Sequence, residues 1–169
     1  MNVMDLFETI RKRRSIRKYH DKSVEKEKVQ KILEAARLAP SAMNRQPYKI
    51  LVVTKKEVLS KINSACNQEW KAPIMLVMVS IPKEAWFRDD GEEYWKADAA
   101  VAMHQISLVA YAEGLGTCWI AAFEEKEMRN ILEIDSDSRV VFLSPLGYPA
   151  ENKGPITKRK EIDTLVRYI

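Results

Sequence analysis

The sequence has few of the residues on which many familiar sites depend. Its 169 residues include only two cysteines, two histidines and five glycines. Cys66 and Cys118 form no CxxC pair, which argues against a zinc site, and two cysteines are too few for a disulfide framework. We therefore expect no metal site, and this cysteine usage fits a reducing cytoplasm.

Long apolar runs and glycine-rich phosphate loops are also missing. The longest apolar run is far too short to span a bilayer, so no membrane partner is expected. Residues 1–5 lack the basic and apolar segments that begin a secretory signal. There is no Walker A motif or GxGxxG fingerprint, and residues 114–117 (GLGT) are too short for one. Any phosphate would therefore have to be bound by side chains.

Positive charge is concentrated in the first part of the chain. Residues 1–71 contain 17 Lys and Arg against 8 Asp and Glu, although the formal net charge of the whole chain is only +4. Such an excess is compatible with nucleic-acid binding. The lysines around residues 25–31, however, alternate with glutamates as on a solvated helix face. We therefore expect no nucleic-acid partner.

One short segment combines three guanidiniums with a hydroxyl. Arg13, Arg14 and Arg17 lie around Ser15 and Ile16. The planar donor fork of arginine matches a phosphate group, and serine adds a neutral donor. Arginine is also favoured at the C-terminal end of a helix by the helix dipole. The local pattern leaves a phosphate site and a basic helix end as alternatives.

A second polar segment lies further along the chain, between Pro40 and Pro47. It contains Ser41, Asn44 and Gln46. Asparagine and proline are common in turns, so these residues have an ordinary structural explanation. Their amide groups are also suited to bind the polar edge of a planar cofactor.

Hydrophobic periodicity predicts one layered α/β or α+β domain that covers residues 1–169. Strands are expected at residues 48–53, 74–80, 117–123 and 139–147. Helices are expected at residues 4–14, from a cap at Ser23 to about Leu38, after a capping box at 54–57, at 94–113 and at 124–132.

The helix at 94–113 is apolar over much of its circumference and should be buried, with Gly114 at its C-terminal cap. His104, within it, is expected to be a core or interface residue rather than a catalytic one. Residues 83–93 are polar and acidic and predict a loop or a lid. Residues 148–169 cannot form a core of their own, so they should pack on the domain or on a second subunit.

Four segments, in this order, resemble the nitroreductase family of FMN enzymes. They are RRSIRKY at 13–19, APSAMNRQPY at 39–48, GLGTCWI at 114–120 and LGYP at 146–149. The resemblance covers nearly the whole chain. It implies an α+β fold in which helices sandwich a mixed sheet. It also implies an intertwined homodimer with FMN at the interface and residues 148–169 wrapped around the partner.

The resemblance also implies an activity. FMN would take a hydride from NADH or NADPH and pass it to a nitroaromatic, a quinone or a similar planar acceptor in a ping-pong cycle. The flavin, rather than a catalytic side chain, would carry the chemistry. The alternative is a flavin-binding carrier or sensor without turnover.

The resemblance assigns cofactor contacts to specific positions. Asn44 and Gln46 would be contributed across the dimer, and a backbone N–H within residues 120–122 would lie near flavin N5. The larger members of the family have a Pro-Ile-Glu-Gly type sequence where this chain has Ala121-Ala122-Phe123, so the acceptor stays open. The positions are Arg13, Arg14, Ser15 and Arg17 for the phosphate and ribityl chain; Pro40, Ser41, Asn44 and Gln46 for the ring and ribityl groups; Ile120, Ala121 and Ala122 along the ring; and Lys158 or Arg159 as late basic contacts.

Overall fold

A computed structural model describes residues 5–156 and 158–169. Helices α1 to α5 are Leu6–Lys12, Lys26–Arg37, Lys56–Ala65, Trp95–Ala112 and Glu125–Leu132. Strands β1 to β4 are Tyr48–Val53, Ile74–Ser80, Gly116–Thr117 and Arg139–Gly147. Short 3-10 turns occur at Ala42–Asn44, Pro82–Glu84 and Ile162–Thr164.

The four strands form one sheet in the order β1-β2-β4-β3, with each neighbouring pair antiparallel. Strand β2 lies between β1 and β4, and all its residues are buried. Its side chains alternate between the two faces of the sheet, because successive residues of a strand point in opposite directions. A continuous apolar run is therefore needed at 74–80, as the sequence predicts.

Each face of the sheet is covered by helices. Met75, Val77 and Val79 of β2 share one apolar cluster with Ile62 of α3 and Met128 of α5. The alternate residues of β2 share a second cluster with α2 and α4, whose members include Ile74, Leu76, Met78, Ile32, Ala36, Ala99 and Ile106. The result is a helix–sheet–helix sandwich, and the predicted α+β class is confirmed.

Helix α4 matches the predicted buried helix closely. It runs from Trp95 to Ala112 and buries seven of its residues. Gly114 follows it with a φ of +76°, and the N–H groups of Gly114 and Leu115 return to carbonyls of the last turn. The predicted glycine cap is therefore confirmed. The His104 side chain, in contrast, is exposed on α4. The prediction that it lies in the core of this chain is therefore wrong.

The strand predicted at 117–123 is largely absent. Only Gly116 and Thr117 pair regularly with β4, and Ile120 makes one isolated bridge to Leu143. The register of both pairings places Pro145 opposite Cys118. Proline has no N–H to donate, so the ladder is interrupted between the two points.

Two predicted helix caps are also wrong. The N-cap of α2 is Glu25 rather than Ser23, and that of α3 is Lys55 rather than Thr54. Neither helix has a side-chain capping bond. The start of α2 is instead tied to the rest of the fold, because Lys28 donates to the Glu113 carbonyl at the far end of α4 (2.8 Å).

The two ends of the chain expose apolar side chains. Of the predicted helix at 4–14, α1 covers Leu6–Lys12, and Met4 lies outside the described residues. Leu6, Phe7 and Ile10 on α1 are exposed. Ile162, Leu165 and Val166 are also exposed, and they lie in the C-terminal tail, residues 148–169. None of the helices within 5–156 and 158–169 is long and apolar enough to cross a membrane.

Candidate functional site

Residues 13–17, here called the arginine segment, are fixed along the edge of the sheet. The Ile16 N–H donates to the Thr117 carbonyl at 2.9 Å, and Ser15 forms a parallel bridge to Thr117. The buried Ile16 side chain packs against Gly116, where an added Cβ would come within 2.8 Å of it. Glycine at 116 thus permits the close approach that holds the segment.

The Arg13 side chain is half-buried, and its guanidinium forms no ion pair or hydrogen bond within the described part of the chain. Burial lowers the pKa of its guanidinium, and the positive charges of Arg14 and Arg159 lower that pKa further. A cation in this situation is destabilised unless an anion joins it. The segment therefore presents unbalanced positive charge at one point, and Arg159 from the tail contributes to it.

Arg14 has a more structural role. Its guanidinium donates to the carbonyls of Arg11 and Arg13 at 2.7 and 2.8 Å, which is the helix-end role that the sequence left open. Its Nε donates to the Gly154 carbonyl at 2.8 Å. This bond ties the beginning of the tail to the arginine segment.

A cavity of about 480 Å³ opens between the arginine segment and the tail. Basic side chains contribute to its lining, and Ile16, Leu115 and Tyr111 supply apolar surface. Its basic lining residues are Lys12, Arg13, Arg14 and Lys153. The cavity combines an apolar surface with a positively charged boundary, as an anionic organic ligand requires.

Ser15 and Arg17 lie around the buried Cys118 thiol. Burial raises the pKa of this thiol, while the positive charges of Arg17, Lys153 and Arg13 oppose the increase. The Arg17 N–H donates to Glu151 Oε1 at 2.5 Å, and this bond lowers the pKa of the Glu151 carboxyl. The backbone at Arg17 is thereby fixed, and its side chain is exposed.

Residues 40–46, here called the amide loop, have an unusual backbone. Met43, Asn44 and Gln46 all have φ near +50°, a left-handed conformation that costs a residue with a side chain about 1–2 kcal/mol. Ser41 Oγ accepts from the Gln46 N–H at 2.9 Å, and the Gln46 amide donates to the Asn44 carbonyl at 2.7 Å. The loop holds two exposed amide side chains on a strained backbone, which is typical of functional sites.

The arginine segment and the amide loop lie at opposite ends of the sheet. The segment bridges to Thr117, which pairs through Leu146 with Ile74 at the start of β2. The amide loop leads into Tyr48, which pairs with Ser80 at the other end of β2. Strand β2 has seven residues, so its ends are separated by roughly 20 Å. One copy of the chain does not bring the two groups together.

Residues 120–122 lie along the sheet edge between these ends. The Ile120 side chain is buried and its N–H donates to the Leu143 carbonyl at 2.9 Å, so this N–H is not available to a ligand. Ala121 and Ala122 are exposed, and no backbone hydrogen bond from them occurs among the described residues. The free donors of this stretch are therefore at Ala121 and Ala122. Lys158 and Arg159 are exposed in the tail.

Sequence reasoning missed three residues of this region. Glu151 and Lys153 line the cavity but stand in a polar tail with no distinctive pattern. Asp98 is buried on α4 and accepts a hydrogen bond from the Ala42 N–H of the amide loop. Asp98 is the one carboxylate in the largely apolar helix α4, and this is a signal that would have identified it.

Comparison with known proteins gives a consistent result. The sequence profile of the nitroreductase family matches residues 10–75 and 69–148. A Methanothermobacter thermautotrophicus protein with the provisional name NADH dehydrogenase/NAD(P)H nitroreductase is 34% identical over 91% of this chain and 82% of its own.

Two solved structures are similar in both sequence and fold. A nitroreductase family protein from Clostridium novyi NT has a TM-score of 0.83 and 37% identity, over 88% of this chain and 87% of that one. An FMN-dependent nitroreductase from Clostridium difficile R20291 has a TM-score of 0.81 and 32% identity, over 95% and 96%.

Proposed function

Because this chain belongs to the nitroreductase family, we propose that it is an FMN-dependent oxidoreductase. It uses NADH or NADPH to reduce a nitroaromatic, a quinone or a similar planar acceptor in a ping-pong cycle. When bound, FMN supplies the redox chemistry, taking a hydride from the nicotinamide and passing it to the acceptor. The names of the relatives, which include NAD(P)H and FMN, support this assignment.

The observation that carries the proposal is the unbalanced charge at Arg13. A half-buried guanidinium beside Arg14 and Arg159, with no carboxylate partner among the described residues, fits a bound phosphate. The phosphate of FMN would be held there by Arg13, Ser15 and Arg159, with Arg17 and Lys158 close by. Arg14 would contribute mainly by holding the tail in place.

The ring of the cofactor would extend along the sheet edge from Thr117 towards Ala122. Ala122 lies five positions after Thr117, so the distance between these two residues is at most about 17 Å. The exposed N–H of Ala121 or Ala122 would face flavin N5, since the Ile120 N–H is already bonded to Leu143. No side chain is assigned a catalytic role, because the protein binds and orients the group that reacts.

We also propose that residues 1–169 form one domain that works as a homodimer. A cofactor on the arginine segment of one copy would receive Pro40, Ser41, Asn44 and Gln46 from the other, because a single copy places these groups at opposite ends of the sheet. Exposed apolar residues on α1 and in the tail support this assembly. Residues 148–169 would pack on the partner subunit.

Steady-state kinetics test the activity. Initial rates with FMN-loaded protein, NADH or NADPH, and either menadione or a nitrofuran should give parallel double-reciprocal lines, as a ping-pong cycle requires. Protein that binds FMN but consumes no NAD(P)H with any acceptor would instead be a carrier or sensor. Protein that binds no FMN would contradict both assignments.

Subunit complementation tests the shared site. Arg13→Ala and the double change Asn44→Ala/Gln46→Ala should each impair FMN binding at both sites of a homodimer. Co-expressed, they should form heterodimers with one intact and one doubly defective site, so heterodimers separated from both homodimers should bind half of the wild-type amount of FMN. Heterodimers that bind no more FMN than either parent would contradict the shared arrangement.

A further inference from the structure

A buried carboxylate lies directly behind the amide loop. Asp98 is in the first turn of α4 and only 4% of it is exposed. Its Oδ1 accepts a hydrogen bond from the Ala42 N–H at 2.8 Å. Its Oδ2 is buried and has no partner among the described residues. A carboxylate with so little solvation and one donor is unfavourable at a place that an apolar side chain would fill.

The polar groups around Asp98 are used elsewhere. The Tyr48 hydroxyl donates to the Ala36 carbonyl at 3.1 Å. Burial raises the pKa of Tyr48, and the nearby charge of Asp98 raises it further. The Ser80 hydroxyl donates to the Trp95 carbonyl at 3.3 Å. Within the described part of the chain, the Asp98 carboxylate therefore accepts a hydrogen bond only from the backbone of the amide loop.

Apart from the bond to Asp98, one further hydrogen bond among the described residues ties the amide loop to the rest of the fold: the Arg45 guanidinium donates to the Ala85 carbonyl at 2.7 Å, which restrains a side chain and not the loop backbone. The remaining backbone hydrogen bonds of the loop are to groups within residues 41–48, such as Ser41 Oγ with the Gln46 N–H. Asp98 is the one side chain outside the loop that bonds to the loop backbone among the described residues. Three residues of the loop are left-handed, so without an external restraint the backbone would relax to more favourable conformations.

We propose that Asp98 is a positioning residue, which fixes the amide loop through Ala42 in the conformation that presents Asn44 and Gln46 to the flavin. Asp98 acts from behind and does not contact the cofactor. The restraint connects the central helix α4 to the ring-contacting side of the site. This inference rests on the proposed function, since the loop is assigned to the flavin there.

Amide hydrogen exchange of flavin-free protein measures the restraint directly. In Asp98→Ala, exchange at residues 42–46 should be roughly 10- to 100-fold faster, because a hydrogen bond to a charged acceptor is lost. FMN should also bind more weakly to this variant. Asp98→Asn keeps an oxygen that accepts from the Ala42 N–H, so both properties should return close to those of wild type.

Ser107→Ala is the matched control. Ser107 is also buried on α4, but its hydroxyl donates to the His104 carbonyl at 2.7 Å and does not reach the loop. Exchange at residues 42–46 should be unchanged in this variant. If Asp98→Ala does not fold, Ala42→Pro removes the same N–H from the loop side, and the extended backbone of Ser41 suits a following proline.

The outcomes are distinct. Unchanged exchange at residues 43–46 in both Asp98→Ala and Ala42→Pro would overturn the proposal, as would equal acceleration in Ser107→Ala. Failure of Asp98→Asn to restore slow exchange would also overturn it. Wild-type protein that binds no FMN, yet shows the predicted exchange, would contradict the proposed function while leaving Asp98 as the restraint of the loop.

Discussion

Replacing Arg13 should separate the affinity for FMN from the stability of the fold. Arg13→Met removes the guanidinium but keeps a long, apolar side chain that fills similar space. A charge-assisted hydrogen bond contributes about 1.5–3 kcal/mol. Since the Arg13 guanidinium has no other partner among the described residues, FMN should bind roughly 10- to 100-fold more weakly.

In the flavin-free protein, Arg13→Met should not lower the stability of the fold. Burial and the charges of Arg14 and Arg159 lower the pKa of Arg13, so its charged form opposes folding when no anion is present. Arg13→Met should therefore leave the melting temperature of the flavin-free protein unchanged or raise it. A substitution that merely damaged the fold would lower the melting temperature and the affinity together.

Riboflavin, which lacks the phosphate, provides the decisive comparison. Fluorescence titration should show that Arg13→Met weakens the binding of FMN but leaves the binding of riboflavin unchanged. Arg37→Ala is the control, because Arg37 forms its ion pair with Glu34 within α2. Equal losses for FMN and riboflavin, or an unchanged affinity for FMN, would refute the assignment of Arg13 to the phosphate.

Three further changes test the surroundings of the site. Gly116→Ala should lower stability by about 1–3 kcal/mol in denaturant unfolding, because its Cβ would overlap Ile16, whereas Gly154→Ala has open space and should have no effect; equal effects would contradict the close packing. Glu151→Gln should lower stability by about 1 kcal/mol at pH 7. Because the native pKa of Glu151 is lowered, this difference should persist above pH 4.5 and disappear as the pH falls through the native pKa; a difference independent of pH would contradict it. Deleting residues 162–169 should weaken dimerisation in sedimentation equilibrium, and wild-type dimer stability would contradict the role of the tail.

The sequence alone predicts the elements whose apolar residues follow a continuous or regular pattern along the chain. Strands β1, β2 and β4 and helix α4 were located within a residue or so, because continuous or alternating apolar residues leave one arrangement. Helix starts were less accurate, since at Glu25 and Lys55 tertiary contacts replace the local caps. The short pairing of β3 depended on Pro145, which lies almost thirty residues away along the chain.

In the candidate site, too, local patterns could be predicted from the sequence, and contacts between distant segments could not. The arginine segment was visible as a local cluster of charge, and its attachment to Thr117 was not, because that contact depends on the sheet edge. Asp98 acts over 56 positions of sequence, so no local pattern connects it with Ala42. The distance between the arginine segment and the amide loop likewise follows only from the strand register.

An absorption spectrum of FMN-reconstituted protein, recorded without oxygen before and after adding NADH and then NADPH, tests the central claim most directly. We expect flavin bands that bleach with at least one of the two reductants and return when a quinone is added. Protein that takes up no FMN, or flavin bands that persist with both reductants, would contradict the assignment of this chain as an FMN-dependent oxidoreductase.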